Sequence, residues 1–165
     1  MSKAASWAAF ALSAALLVAL DLLLKGWAYA NLIGQPGRVL VPGVLGLTYL
    51  ENPGAAFGLL AGFRHSPVLL AALSSLLMAA VVWYYHVLPG ERRFLPVRAA
   101  LILIFAGGVG NNVDRISRGA VRDMLEILFV RFPIFNLADV YVTLGTCAFV
   151  FLTMFVVKDA PYLKE

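Results

Sequence analysis

Four apolar stretches, at roughly residues 7–30, 67–88, 95–113 and 138–157, dominate a chain of 165 residues. Each is near the length of about 20 residues that a helix needs to cross the hydrocarbon core of a bilayer. In that solvent every backbone N–H and C=O must be satisfied inside the segment, so stretches of this kind fold as helices. Composition agrees: 62% of the residues are hydrophobic and 13% charged, against about 25% charged in a soluble domain. A water-soluble domain this small could not hide so much apolar surface. A disordered chain would not contain it. The expected fold is an all-α membrane protein with four transmembrane helices and a small β-sheet and loops on its outer face. It is expected to form a single polytopic membrane domain over residues 1–165.

The charged residues bound the function. Net charge is +4, and the 13 basic residues are scattered, so no nucleic-acid surface is expected. Cys147 is the single cysteine, which excludes an intramolecular disulfide and a cysteine-based zinc site. The first apolar stretch is too long for a removable signal and is expected to remain as a span. The loop after the second span is short and carries Arg92 and Arg93, with Arg98 just beyond; it reads as cytoplasmic. An even number of spans then places both termini in the cytoplasm and the first and third loops outside. The first outer loop contains RVLVPGVLGLTYL at 38–50, two β-rich runs around Pro42-Gly43, which predict a hairpin. A further β-rich run at 127–135 is expected to join it in a small sheet.

Polar groups within such a chain are informative, because a charge at the centre of a span costs about 2.5–3.5 kcal/mol. Asp21 and Lys25 stand four apart in the first span and share a helix face. They read as a neutralised pair with Lys25 reaching toward the interface, or as a polar support beneath a site. Asn52 precedes Pro53-Gly54 in ENPGAAFG (51–58), a turn whose small residues let backbones approach closely. The third span ends in GGVGNNVDR (107–115), where Asn111 and Asp114 can share a face. Asp114 reads as structural, holding a backbone turn or an arginine. Asp123 follows in the outer loop. Asn136 and Asp139 open the fourth span as an N-cap and a residue suited to the helix dipole. Asp21, Asn52, Asn111, Asp114, Asp123, Asn136 and Asp139 all fall toward one face, and six of the nine acids lie there with Glu51 and Glu126 included. A structural protein has no reason to gather carboxylates and amides in this way, whereas a membrane-embedded active site does.

Nucleophilic chemistry finds little support. Cys147 lies within the fourth span with neither His65 nor His86 near it in sequence, Ser74 and Ser75 have no adjacent base, and there is no histidine cluster. Paired carboxylates remain. Two aspartates in a poorly solvated site share a proton, and the ionised one can activate water while the protonated one donates to a carbonyl oxygen. Two carboxylates could equally hold a divalent metal for phosphoryl chemistry. Spacing does not separate these, nor does it choose between Asp114 and Asp123.

The motifs DLLLK (21–25), ENPGAAFG (51–58), GNNVDR (110–115), GAVRD (119–123) and FNLAD (135–139) resemble, in order and over nearly the whole chain, those of bacterial lipoprotein signal peptidase, or signal peptidase II. The resemblance implies an aspartic endopeptidase of the bacterial cytoplasmic membrane with its site toward the outer face. It would remove the signal peptide from diacylglyceryl-modified prolipoproteins by cutting N-terminal to the lipidated cysteine, with no metal or organic cofactor. It implies Asp123 and Asp139 as the catalytic pair. Asp21, Lys25, Asn52, Gly54, Gly108, Asn111, Asp114, Arg115, Asn136 and Ala138 match positions that support the site or contact substrate. Substrate and membrane lipid are the expected partners, nucleic acid is not, and a monomer is expected. This chain departs from the pattern at Leu22, Leu24, Arg122 and Met124, where the family has Gln, Ser or Thr, an aliphatic residue and Phe. The departures bear on local packing, substrate preference and the acidity of Asp123. Two rivals predict otherwise: a metal-dependent phosphatase or transferase acting on lipid head groups, and a non-enzymatic membrane scaffold or small transporter.

Overall fold

A computed structural model describes residues 2–54 and 65–157. Four helices, α1 (Lys3–Leu32), α2 (Ser66–Val87), α3 (Leu95–Arg118) and α4 (Leu137–Phe151), alternate with three strands, β1 (Arg38–Val41), β2 (Leu45–Asn52) and β3 (Val121–Ile127). The helical segments Lys3–Leu32, Ser66–Val87, Arg92–Arg118 and Leu137–Val156 are long and apolar enough to cross a membrane. Leu12, Leu16, Leu23, Val68, Leu76 and Ile116 are among the large side chains on their outer surfaces, as a lipid solvent allows.

The helix ends follow local chemistry. The Ser2 hydroxyl accepts the Ala5 N–H at 3.2 Å, starting α1 earlier than the apolar stretch predicts. The third span also runs past its expected end at Val113. It continues to Arg118, where Gly119 takes a left-handed φ of 74° and closes the helix, a conformation that a Cβ would strain. Pro67 and Pro96 lie in the first turns of α2 and α3, where a missing N–H costs nothing. The α-helical part of the fourth span stops at Phe151, and a π-helical turn, Leu152–Val156, carries it on.

The sheet is antiparallel in the order β1-β2-β3. The expected hairpin at 38–50 forms, turning through Gly43 at φ 71°. The third strand differs from expectation. It is Val121–Ile127, not 127–135, and pairs Leu50 with Asp123 and Asn52 with Val121. Of the predicted run, Phe135 makes an isolated bridge to Leu125. Pro133 lacks a ladder donor, and Phe129 and Val130 are exposed. The sheet packs against the C-terminal half of α1 through Ala28, Leu32 and Met124.

The opposite end of the bundle is closed by Phe10, Tyr85, Phe94 and Val97. Arg98, expected beside a basic loop, is buried there. Its guanidinium donates to Ser6 Oγ and Leu88 O, each at 2.8 Å, and lies 4.5 Å from the centre of the Tyr85 ring.

Glycine sets the spacing of α3 against its neighbours. A Cβ on Gly107 would collide with the Ala138 carbonyl and the Val142 side chain of α4, and one on Gly110 would sit 2.5 Å from Asp21 Oδ2 of α1. Gly26 has open space where its Cβ would be. Gly107→Ala should therefore lower stability by about 1–3 kcal/mol through overpacking. Gly26→Ala should not. Thermal unfolding of the two variants in one detergent checks this, and equal midpoints would contradict the close approach.

Candidate active site

Asp21 and Lys25 anchor the polar interior. Both are fully buried, and the Lys25 ammonium lies 2.7 Å from Asp21 Oδ2. It does not reach toward the interface. It donates to Asn111 Oδ1 at 2.9 Å and stands 3.6 Å from Asp114 Oδ2. Asp21 Oδ1 accepts the Ala138 N–H at 2.9 Å, which satisfies an orphan donor in the first turn of α4. One i, i+4 pair on α1 thus ties together α1, α3 and the start of α4.

Asp114 belongs to a separate brace. The Arg122 guanidinium grips it, with Nη2 at 2.6 Å and Nε at 3.1 Å from Oδ1, and the Arg122 backbone N–H donates to Oδ2 at 3.1 Å. The carboxylate therefore holds both a turn and an arginine, and that arginine is Arg122 rather than its chain neighbour Arg115. Successive residues of a strand point to opposite faces. Arg122, the departure adjacent to Asp123, accordingly turns to Asp114, and Asp123 turns to the cleft.

Asp123 and Asp139 come together through three amides. Asn136 caps α4: its Oδ1 accepts the Asp139 N–H at 3.0 Å, and its own N–H donates to Asp139 Oδ2 at 3.1 Å. Its Nδ2 donates to Asp123 Oδ1 at 2.7 Å and to Asn111 Oδ1 at 3.1 Å. Asn111 Nδ2 donates to Asp139 Oδ1 at 2.8 Å. Asn52, its Oδ1 occupied by the Gly54 N–H at 3.1 Å, turns Nδ2 to Asp123 Oδ2 at 3.2 Å. Asp123 is 2% exposed, unlike a solvated loop aspartate. Burial, and next the charge of Asp139, push its carboxyl up to about 6.

The two aspartates open onto a cleft of about 700 Å³ between α2, α3, α4 and the sheet, within the range of small-molecule and peptide sites. Leu70, Leu73 and Leu77 form one wall, Val140 and Leu144 another, and Arg115 stands with both carboxylates at the polar end. Gly108 lies against Ser74 and Met78, where a Cβ would come within 3.0 Å of Met78. Asn52 and Gly54 reach the same cleft; the rest of the ENPGAAFG motif, 55–58, lies outside the described residues. Leu24 is exposed on α1, and Met124 packs with Ala28 and Leu32. Among the described residues no group of three or more His, Cys, Asp or Glu side chains is arranged to hold a metal ion. Ser75, weighed above only as a nucleophile, and Asn112, given no role there, tie α2 to α3: Asn112 Nδ2 donates to Ser75 Oγ at 3.0 Å and to Ala71 O at 3.2 Å. A second amide beside Asn111 was the available signal.

The family model described as signal peptidase (SPase) II matches residues 13–155. The chain belongs to the signal peptidase II family. It is therefore a bacterial multi-pass membrane protein and a protease, and aspartic chemistry is that family's mechanism. Curated relatives named lipoprotein signal peptidase agree. That of Streptococcus thermophilus (strain CNRZ 1066) is 39% identical over 129 residues, covering 78% of this chain and 81% of the relative. That of Streptococcus pyogenes serotype M6 is 38% identical over 136 residues, covering 82% and 86%. A solved bacterial membrane enzyme superposes with a TM-score of 0.77 at 25% identity, covering 93% of this chain and 95% of that one. A second gives 0.74 at 25% identity, covering 96% and 92%.

The Asp114–Arg122 brace yields a prediction. Removing one partner of a buried ion pair leaves an uncompensated charge and costs about 3–5 kcal/mol. Lys25 remains 3.6 Å from Asp114, so Arg122→Met should fall near the lower figure. A thermal midpoint equal to that of the parent would show that the guanidinium carries no load.

Proposed function

We propose that Asp123 and Asp139 are the catalytic pair of an aspartic endopeptidase that removes the signal peptide from diacylglyceryl-modified prolipoproteins, cutting N-terminal to the lipidated cysteine. The observation that carries this reading is a pair of carboxylates from different elements, β3 and α4, held by N–H donors at the mouth of an apolar cleft. A water placed between them loses a proton to the ionised carboxylate as its oxygen attacks the scissile carbonyl carbon. The other carboxyl gives its proton to the carbonyl oxygen. Collapse of the resulting diol protonates the amide nitrogen and breaks the C–N bond. The products are a signal-peptide carboxylate and a free amine on the lipidated cysteine.

Asn52, Asn111 and Asn136 position the pair, and Asp21, Lys25, Asp114 and Ala138 support it from below. Arg115 sits beside both carboxylates and is suited to orient a peptide carbonyl. Gly54 lines the cleft beside Asn52, and Gly108 lets α3 lie against Met78 of α2 along the cleft wall. The leucine-rich walls suit acyl chains, and each buried CH₂ contributes about 0.8 kcal/mol. Membrane lipid and the lipidated precursor are the partners. The chain acts as a monomer and a single polytopic domain. Both termini and the Arg92–Arg93 loop face the cytoplasm, and the sheet and cleft face outward, where a translocated precursor presents its cleavage site.

In a cleavage assay on purified protein, Asp123→Asn and Asp139→Asn should each abolish turnover while the protein stays folded, its stability lowered by about 1–3 kcal/mol because the new amide N–H meets a fixed N–H donor, and excess chelator should leave the parent active. Near-normal turnover by either variant would remove the pairing, and metal-restored activity after chelation would favour phosphoryl chemistry. The pH profile follows from Asp123. Its raised value means the carboxyl keeps its proton up to about 6 and loses it as pH rises further. With Asp123 as a required acid, kcat/KM should fall above about pH 6, with a slope of one decade per unit. A flat profile through pH 8 would contradict it.

A further inference from the structure

The three amides that hold the aspartates cannot turn over, because each carbonyl oxygen already has a donor. Asn111 Oδ1 takes the Lys25 ammonium, which can only donate; Asn136 Oδ1 takes the Asp139 N–H; Asn52 Oδ1 takes the Gly54 N–H. Every amide face turned to a carboxylate is therefore an N–H donor. The two carboxylates nevertheless differ in what surrounds them.

Asp139 sits at the third position of α4, where the helix dipole stabilises negative charge. One oxygen takes a backbone N–H at 3.1 Å and the other takes Asn111 Nδ2 at 2.8 Å. That amide is polarised from behind by the buried Lys25 ammonium, and chained hydrogen bonds strengthen one another. Asp139 also keeps partial exposure to the cleft, so its charge retains solvation. Asp123 has the opposite setting. It is almost fully buried, and it lies on a strand, whose net dipole is small. Its Oδ1 accepts Asn136 Nδ2 at 2.7 Å, but its Oδ2 receives only the 3.2 Å contact from Asn52, the longest in the set, and is the oxygen left to carry a proton. The charged groups of the packed elements do not touch it: Lys25 of α1 bonds Asp21 and Asn111, Asp114 of α3 bonds Arg122, and Arg115 of α3 lies at the cleft with both aspartates.

We propose that the pair is asymmetric: Asp139 is the ionised general base, and Asp123 holds the shared proton on Oδ2 and is the general acid. This rests on the catalytic pairing proposed above. Asp139 takes the proton from water as the oxygen–carbon bond forms, and Asp123 gives its proton to the carbonyl oxygen. In the second half, Asp139 delivers its proton to the leaving nitrogen, and Asp123 recovers one from the diol as the C–N bond breaks. Both carboxyls end as they began, and no co-reactant is needed. Lys25 acts in this scheme as a positioning residue, through Asn111. The upward push on the Asp123 carboxyl has the same direction.

Infrared difference spectra of the full-length protein in lipid nanodiscs, recorded as pH is lowered from 8 to 5, test the division. The carboxylic C=O band that appears should persist in Asp139→Asn, displaced to lower pH by loss of the neighbouring charge, and should be missing from Asp123→Asn. Asp139→Ser and Asp123→Ser give a second set should either amide variant fail to fold. A band that disappears with Asp139 and persists with Asp123, or that persists in both or in neither, overturns the assignment. Cleavage by the same variants separates the two levels. Turnover by either Asn variant sinks the pairing itself, whereas two inactive variants with the wrong band sink only the division of roles.

Discussion

A lysine ammonium with no access to solvent organises this molecule. Lys25 must be neutralised where it lies, because an unpaired charge in a low-dielectric interior is prohibitive. Asp21 supplies the countercharge from the same helix, Asn111 supplies an acceptor from α3, and Asp114 stands just beyond. Satisfying one cation fixes how α1 meets α3, and Asp21 in turn holds the first turn of α4. A buried ion pair is weak evidence of stability for its own sake. Its value here is specificity: it sets the register of α1 on α3, as the Asn112–Ser75 bond does for α2 and Gly107 for α4. The same bonds orient Asn111, and through it Asp139, so the packing of the helices and the readiness of the carboxylates have one origin.

The four spans were legible because hydrocarbon permits so few structures, and the hairpin was legible because Pro42-Gly43 separates two β-rich runs. The third strand was misread. Val121–Ile127 sets Arg122 beside Asp123 and Met124 beside Leu125, which breaks the period-two alternation of a strand and reads as a loop when the strand's partner is unknown. Those two charges are buried for specific reasons: Arg122 meets Asp114 across the end of α3, and Asp123 lines the cleft. Both are contacts made by the fold and invisible to periodicity. The convergence of aspartates and asparagines at one end followed from counting spans. Which amide serves which carboxylate did not, because that depends on which carbonyl oxygen is already taken. Lys25 illustrates the limit: i, i+4 spacing gave its partner, whereas its burial depended on Gly110 of α3 admitting Asp21 of α1 closely. Arg98 is the same lesson at the other end, a basic residue that fills a slot under Tyr85 instead of marking a loop.

The cleft is polar at one end and apolar along its walls, which matches a substrate that is half lipid. Under the proposed pairing, a peptide bond beside a lipidated cysteine would leave the bilayer only far enough to meet the two aspartates, with its acyl chains among the leucines. Hydrolysis there needs little water and a charge balance that bulk solvent does not supply. The amides and the buried lysine surround the carboxylates with fixed N–H donors.

Comparison of a diacylglyceryl-modified prolipoprotein with its unlipidated precursor tests the central claim most directly. The readout is the initial rate of the mass change on cleavage, at equal concentrations of substrate, detergent and purified protein. The account predicts a product whose N-terminus is the lipidated cysteine and an unlipidated precursor left essentially intact. Equal rates on the two substrates, or a product beginning at any other residue, would contradict it.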